Sequence, residues 1–211
     1  MVLMSRALDS FSESDAQFLM TAATQVALAV DNAQLYEATK SRALTDGLTG
    51  LYNHVHFLER IREAISRHAR YHELFSLVLM DVDRLKRCND TRGHLVGDQL
   101  LRTVAEAIRQ EKRVSDVSAC YGGDEFALLL YRTTPKQARE VMDRIRRKAM
   151  TQVVRQKLIP RTEFGLSAGI AHIKAQSIPE NELIQQADSA LYRAKGLGGN
   201  NTVIYSNSLQ P

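Results

Sequence analysis

The chain is 211 residues long, 44% hydrophobic and 25% charged, which is too apolar for a disordered chain and too charged for a membrane protein. Its 28 Lys and Arg against 24 Asp and Glu leave a formal charge of +4, with the basic residues scattered among acids, without a long run or interleaved aromatics. That reads as a solvated surface, so no nucleic-acid partner is expected. No stretch approaches the ~18 uninterrupted apolar residues of a membrane span, and Arg6 and Asp9 come too early for an export signal. Cys88 and Cys120 show no CxxC or Cys/His spacing, which excludes a disulfide framework or zinc ribbon and suits the reducing cytoplasm. The length predicts one domain of roughly 150–200 residues plus an appendage.

In chain order, residues 12–42 contain no Gly or Pro and are rich in Ala. Ser12 with Asp15 three residues on predicts a capped helix start. Leu19, Ala22, Val26, Ala29, Ala33 and Tyr36 then recur at alternating steps of three and four, a small-residue, heptad-like seam. A lone helix of this length has nothing to bury its stripe against. It either packs on its own domain or pairs with a second chain. A boundary at residues 43–46 divides the chain into an N-terminal helix, 1–43, and a domain, 44–211.

Within that domain the pattern alternates. Helices are expected over 55–70, 97–112, 135–150 and 180–195, the third opened by Pro135 at a first-turn position. Strands are expected over 75–82, 117–121, 126–131, 164–173 and 202–205, the second and third joined by a tight hairpin. The class is α/β (α+β): a ferredoxin-like βαββαβ palm-type core with an antiparallel or mixed central sheet, flanked by helices.

Acids mark the ends of strands. Asp81 and Asp83 close the first strand on one face, and Asp124 and Glu125 sit in the hairpin turn. In this topology the first strand neighbours the hairpin, so Asp81 and Asp124 converge at one end of the sheet. Converging carboxylates repel unless a cation relieves them, and hard oxygen ligands without His or Cys point to Mg²⁺ or Mn²⁺. Acids that merely end strands at the solvent boundary are the bland alternative. Gly122 and Gly123 allow either a left-handed turn or close approach of backbone to a ligand, and the dipeptide alone does not separate the two. Lys86 suits a phosphate as a point cation. Asn89 and Asp98 suit a base edge, the acid accepting from ring N–H and amine groups and the amide doing both; a turn residue and a helix cap are their plainer readings.

These residues carry a resemblance. YGGDEF (Tyr121–Phe126) and DVDRLKRCNDTRGHLVGD (Asp81–Asp98) resemble the GGDEF-type diguanylate cyclases. So do DGLTGLYN (Asp46–Asn53), SAG (Ser167–Gly169) and ADSALYRAK (Ala187–Lys195), in order and correctly spaced from about Leu44 to Tyr205. FSESDAQFLMTAATQVALAVDNAQLYEA is similar to the last helix of a GAF sensory domain running into a signalling helix.

The resemblance implies condensation of two GTP molecules into cyclic di-GMP with release of two pyrophosphates. Asp81 and Asp124 would hold the metal ions with the Val82 carbonyl, and Glu125 would order metal and attacking hydroxyl. Gly122 and Gly123 would admit the nucleotide, Asn89 and Asp98 would read guanine, and Lys86 and Lys195 would hold terminal phosphates. Each chain binds one GTP, so a homodimer joined through the N-terminal helix is implied. Arg113 and Asp116 match the RxxD pattern of product-inhibited members, and Arg144 matches the position of another inhibitory-site arginine.

Five positions depart from the family pattern. Cys120 and Gly199 stand where arginines are usual, Leu85 stands for a phenylalanine, and His54-Val55 stands for an arginine pair. Cys120 also raises the prospect of an oxidisable site. The loss of two cations motivates a second reading, a catalytically weak domain that binds GTP or cyclic di-GMP and relays through its helix.

Overall fold

The computed structural model describes residues 12–173 and 178–206, with 31–43 as backbone only. The chain's first eleven residues, read above for an export signal, and the side chains of Ala33 and Tyr36 lie outside the described residues. By contacts the chain divides into two compact units, residues 1–43 and 44–211.

Helix α1 spans Glu13–Leu44. Its start is a reciprocal cap: the Ser12 backbone N–H donates to Asp15 Oδ2 at 2.9 Å, and the Asp15 N–H donates to Ser12 Oγ at 3.2 Å. Of the described stripe residues Val26 and Ala29 are exposed and Leu19 and Ala22 half-exposed, so none is buried, and Phe18, Met20, Leu28 and Val30 on the flanks are exposed as well.

The second unit runs α2 (His54–Tyr71), β1 (Phe75–Val82), α3 (Leu85–Arg92), α4 (His94–Glu111), β2 (Val117–Cys120), β3 (Glu125–Tyr131), α5 (Pro135–Arg155), β4 (Leu166–His172), α6 (Glu180–Gly196) and β5 (Thr202–Ile204). The five strands form one sheet in the order β2-β3-β1-β4-β5. All neighbours are antiparallel except β4 and β5. This is the expected βαββαβ arrangement with one parallel strand added. Every residue of β1 is buried, because helices cover both faces of the sheet, and that explains its continuous apolar run.

Alternate residues of the strands feed two cores. Val78, Met80, Phe126, Leu128 and Ile170 pack with Leu100, Val104 and Ile108 of α4 and Met142 and Ile145 of α5. Leu77, Leu79, Leu129 and Ala171 face the other way, against Phe57 and Ile61 of α2 and Leu183, Ala187 and Leu191 of α6. The SAG motif has a packing reason here. A Cβ on Gly169 would overlap the Ala187 carbonyl and the Leu191 nitrogen, so only glycine lets α6 lie this close to β4.

One element escapes the sequence pattern. Helix α3 buries only Leu85 and Cys88 and has no side-chain cap, so it shows little amphipathic period. It starts because Arg84 takes a left-handed conformation (φ 61°) straight after β1. Helix α5 runs one turn beyond its expected end and opens with a capping box between Thr134 and Gln137.

The DGLTGLYN segment ties the entry of this unit to the sheet. Asp46 Oδ1 accepts from the Thr49 N–H at 2.8 Å and hydroxyl at 2.6 Å, and Arg109 donates to the Thr49 carbonyl at 2.6 Å. The Tyr52 N–H donates to the Ser118 carbonyl at 3.2 Å and the Cys120 N–H donates to the Tyr52 carbonyl at 2.9 Å. Asn53 then caps α2, accepting from the His56 N–H at 2.9 Å.

Candidate functional site

The end of β1 is where the acids meet. Asp81 lies opposite Glu125 on one side and Ser167 on the other, and the Val82 N–H donates to the Asp124 carbonyl at 3.2 Å. The hairpin turn therefore wraps over the strand end and brings Asp81, Asp124 and Glu125 together. Asp81 is only 6% exposed. Burial pushes its carboxyl up to about 6, with Asp124 and Asp83 adding to the effect, despite Lys195 opposing it. The Lys195 ammonium sits 2.6 Å from Asp81 Oδ2. Burial acts to lower the pKa of Lys195, but Asp81, with Asp124 and Glu125, holds it above the ordinary lysine value.

A divalent cation fits this end of the sheet on its donor chemistry. The groups present are carboxylates and a backbone carbonyl, all hard oxygens, and Asp81 already attracts a cationic side chain. Among the described residues no group of three or more His, Cys, Asp and Glu is placed to hold a metal ion by itself. Such a cation would be shared with a bound ligand's own oxygens, as Mg²⁺ usually is.

The glycines divide their work. Neither Gly122 nor Gly123 has a positive φ, so the left-handed turn considered from sequence is not their reason. A Cβ on Gly122 would come within 2.9 Å of Glu125 Oε2, so this glycine makes room for that carboxylate. A Cβ on Gly123 would meet nothing within 4 Å, leaving its backbone open to approach.

Asn89 on α3 and Asp98 on α4 lie on the α4 side of β1. Asn89 Oδ1 is buried and has no partner, and a Cβ on Gly97 would overlap the Asn89 amide. Helix α4 begins after Gly93 without a side-chain cap, so Asp98, a turn further in, caps nothing. Its carboxylate is half-buried, and Lys86 is exposed on the first turn of α3. An unfilled buried acceptor beside a half-buried acid is a cost to the free protein that a ligand's N–H groups would relieve.

On the other side of the sheet two cavities share Glu125. One, of about 500 Å³, lies between α2, α6 and the hairpin, with His54, Tyr121, Glu180 and Asp188 at its wall. The other, of about 730 Å³, runs along α6 past Tyr192 to Lys195. Asn89 and Asp98 line neither. His54 packs edge-on against Tyr121 at 4.5 Å. Burial, then Glu125, Glu180 and Asp188, raise the Tyr121 hydroxyl above its ordinary value.

Arg113, Asp116 and Arg144 are not brought to one cavity of the chain. Asp116 is buried and bonded to backbone: Oδ2 accepts from the Arg113 N–H at 3.0 Å and Oδ1 from the Tyr131 N–H at 3.3 Å. Arg113 lines a cavity with Arg60, Arg67 and Arg132. Arg144 lines a different one between α4 and α5, and pairs with Glu111 at 3.1 Å.

The departures are accommodated. The Cys120 Sγ–H donates to the Gly122 carbonyl at 3.2 Å. Burial, with Asp46 nearby, pushes this thiol up to about 11, which disfavours the thiolate that oxidation needs. Leu85 is buried in the core. Gly199 takes φ +78°, which an arginine would adopt only with strain.

The contacts that Asp83 makes with Ser167 and Asn200 escape sequence reasoning. Asp83 Oδ1 accepts from the Ser167 hydroxyl at 2.6 Å, and Oδ2 accepts from the Asn200 N–H at 2.7 Å. The DxD spacing and the serine of SAG are the signals that bear on them.

Comparison with known proteins agrees with this geometry. Residues 43–201 match the family described as diguanylate cyclase, GGDEF domain. The chain is similar to the diguanylate cyclase DgcP of Pseudomonas aeruginosa, 36% identical over 77% of this chain and 24% of the relative. It is also similar to diguanylate cyclase A of Treponema denticola, 30% identical over 94% of this chain and 53% of the relative. It thus spans between about a quarter and about half of these curated relatives. Among solved structures, the coiled coil and GGDEF domain of DgcB from Caulobacter crescentus, in complex with c-di-GMP, matches with a TM-score of 0.80 at 27% identity, covering 89% of this chain and 98% of that one. SiaD of Pseudomonas aeruginosa, in complex with its activator SiaC, matches with a TM-score of 0.70 at 32% identity, covering 90% of this chain and 75% of that one. With its acids gathered at the end of β1 and three quarters of its length matched, the chain belongs to the GGDEF-domain family of diguanylate cyclases.

Proposed function

We propose that this chain condenses two GTP molecules into cyclic di-GMP and two pyrophosphates. The observation that carries the reading is the meeting of Asp81, Asp124, Glu125 and Lys195 at the end of β1, with the unpartnered amide oxygen of Asn89 on the neighbouring helix. Asn89 and Asp98 bind the guanine edge, Asp98 accepting from its ring N–H and amine. Gly123 offers open backbone to the nucleotide, and Lys86 and Lys195 hold the terminal phosphates as point charges. Asp81 and Asp124, with the Val82 carbonyl, are the residues that would hold Mg²⁺ or Mn²⁺. Such ions supply charge stabilisation for the attacking oxygen and the departing pyrophosphate. Glu125, given room by Gly122, orients the 3′-hydroxyl for in-line attack.

One nucleotide cannot attack itself across the site, so two chains must face each other. The unburied stripe on α1 supports pairing of this helix with a second copy, which concentrates one catalytic unit around the other. The helix's resemblance to the end of a GAF domain supports a sensor upstream that gates the pairing. Among the described residues no helix is long and apolar enough to cross a membrane. A GTP-consuming reaction belongs in the cytoplasm. Arg113, with Asp116 shaping its turn, and Arg144 form the inhibitory product site. Within the chain the two arginines line separate cavities.

Purified protein incubated with GTP and Mg²⁺, after bound nucleotide is removed, should give cyclic di-GMP and pyrophosphate by chromatography and mass. Asp124→Ala and Glu125→Ala should each reduce the product at least about 100-fold. Undiminished synthesis by either variant would sink the reading. Gly199, which supplies no cation where the family pattern has an arginine, favours the second reading, a binding and relay module. In that case calorimetry would find cyclic di-GMP binding, lost in Arg113→Ala, in a dimeric chain without turnover.

A further inference from the structure

Asp81 and Asp83 look alike in sequence, two acids at alternate positions closing a strand. Their surroundings differ. Asp81 faces the hairpin acids and takes the Lys195 ammonium at 2.6 Å. Asp83 lies just past the strand, where its N–H donates to the Gly165 carbonyl at 3.0 Å. Its carboxylate is lodged between two glycine backbones. A Cβ on Gly165 would overlap Asp83 Oδ2, and one on Gly199 would come within 3.0 Å of the same oxygen. Both oxygens already accept hydrogen bonds, from the Ser167 hydroxyl at 2.6 Å and the Asn200 N–H at 2.7 Å.

The loop that Asp83 grips leads straight out of the helix that carries Lys195. Gly198 N–H donates to the Lys195 carbonyl at 3.0 Å and Gly199 N–H to the Ala194 carbonyl at 3.2 Å, closing the end of α6. Gly198, Gly199 and Asn200 all have positive φ, at 102°, 78° and 50°. Glycine adopts positive φ without steric cost, so Asn200 is the residue of the three for which a left-handed backbone is costly, and such a residue persists where contacts hold it. Asp83, which accepts at Asn200 and crowds Gly199, is such a contact. Lys195 is thus fixed from two sides, its ammonium by Asp81 and the backbone beyond it by Asp83.

We propose that Asp83 is a positioning residue that fixes the loop after α6 and so holds Lys195 over Asp81, and that it is not itself a ligand for a divalent cation. This rests on the reading of the site as a GTP site. In this chain, where Gly199 stands at a position that carries an arginine in the family pattern, the phosphate end has one cation fewer, which makes the placement of Lys195 matter more. The geometry also distinguishes what an amide does at each acid. In Asp83→Asn, the amide oxygen still accepts from the Asn200 N–H, while its NH₂ donates to Ser167 Oγ, so both contacts survive. In Asp81→Asn, a charged oxygen donor for the cation is lost outright.

The test compares Asp81→Asn, Asp83→Asn and Asp83→Ala without relying on turnover. Mn²⁺ binding is followed by electron paramagnetic resonance in the presence of a non-hydrolysable GTP analogue. Affinity for the analogue is followed by calorimetry, and trypsin cleavage after Lys195 reports the hold on the loop. Asp83→Asn should bind Mn²⁺ within about threefold of the parent protein, while Asp81→Asn should lose about tenfold or more. Asp83→Ala should weaken analogue binding at least about fivefold and speed cleavage after Lys195, with Asp83→Asn restoring both. Loss of Mn²⁺ affinity in Asp83→Asn beyond about threefold overturns the proposal. So does Asp83→Ala with unchanged analogue affinity and cleavage. Should Asp83→Ala fail to fold, Ser167→Ala takes its place, with faster cleavage expected and unchanged cleavage counting against. A parent protein that binds Mn²⁺ and the analogue but makes no cyclic di-GMP would count against the proposed reaction and leave this comparison intact.

Discussion

Asp81 holds its proton to a higher pH than a surface aspartate because burial costs its charge more than Lys195 returns. Its folded value of about 6 lies above the ordinary 3.8, so between those values the folded state binds the extra proton. Stability of the cation-free protein therefore falls as pH rises from about 4 to about 6, and stays at the lower level above that. Urea unfolding at a series of pH values in chelator should show this fall, and Asp81→Asn should flatten it. The cysteines give a second check. Burial raises both thiols, Cys120 to about 11, so a thiol reagent at pH 8 should label neither at the rate of free cysteine until denaturant is added. Asp81, Asp124 and Glu125 are legible in the sequence because strand alternation and a short hairpin leave few ways to arrange them. The role of Asp83 is not. Its partners Ser167 and Asn200 lie 84 and 117 residues away, and no local pattern encodes that contact.

At the scale of elements, strands and helices with a clear period are legible, since each buries one face against the sheet. Helix α3 is hidden because only Leu85 and Cys88 are buried, too few to set a period. The close contact of α6 on β4 makes Gly169 the least replaceable residue of that pair. Gly169→Ala would drive a methyl into the α6 backbone and should cost about 3 kcal/mol or more by urea unfolding. Thr134 acts more gently. Removing the capping box of α5 with Thr134→Ala should cost about 1 kcal/mol and leave nucleotide affinity unchanged, since the cap bonds only to Gln137.

For the whole molecule, both hydrophobic cores lie within residues 44–211, so that unit should unfold cooperatively without the helix before it. Cut to residues 44–211, the chain should bind GTP as the parent does. Its cyclic di-GMP output per chain should then rise about linearly with protein concentration, as a reaction between separate copies requires. Output per chain independent of concentration would mean that the catalytic units pair by themselves. The partner is where sequence legibility ends, since a stripe on α1 announces a surface and not what covers it. The segment at Tyr52 adds a constraint on how copies meet. By bonding to Ser118 and Cys120 it lies along the outer margin of β2, and the opposite margin of the sheet is β5, only three residues long. Backbone groups that would otherwise recruit a foreign strand are therefore shielded or few. The sheet thus offers no ready edge along which a second copy could extend it into one continuous ribbon.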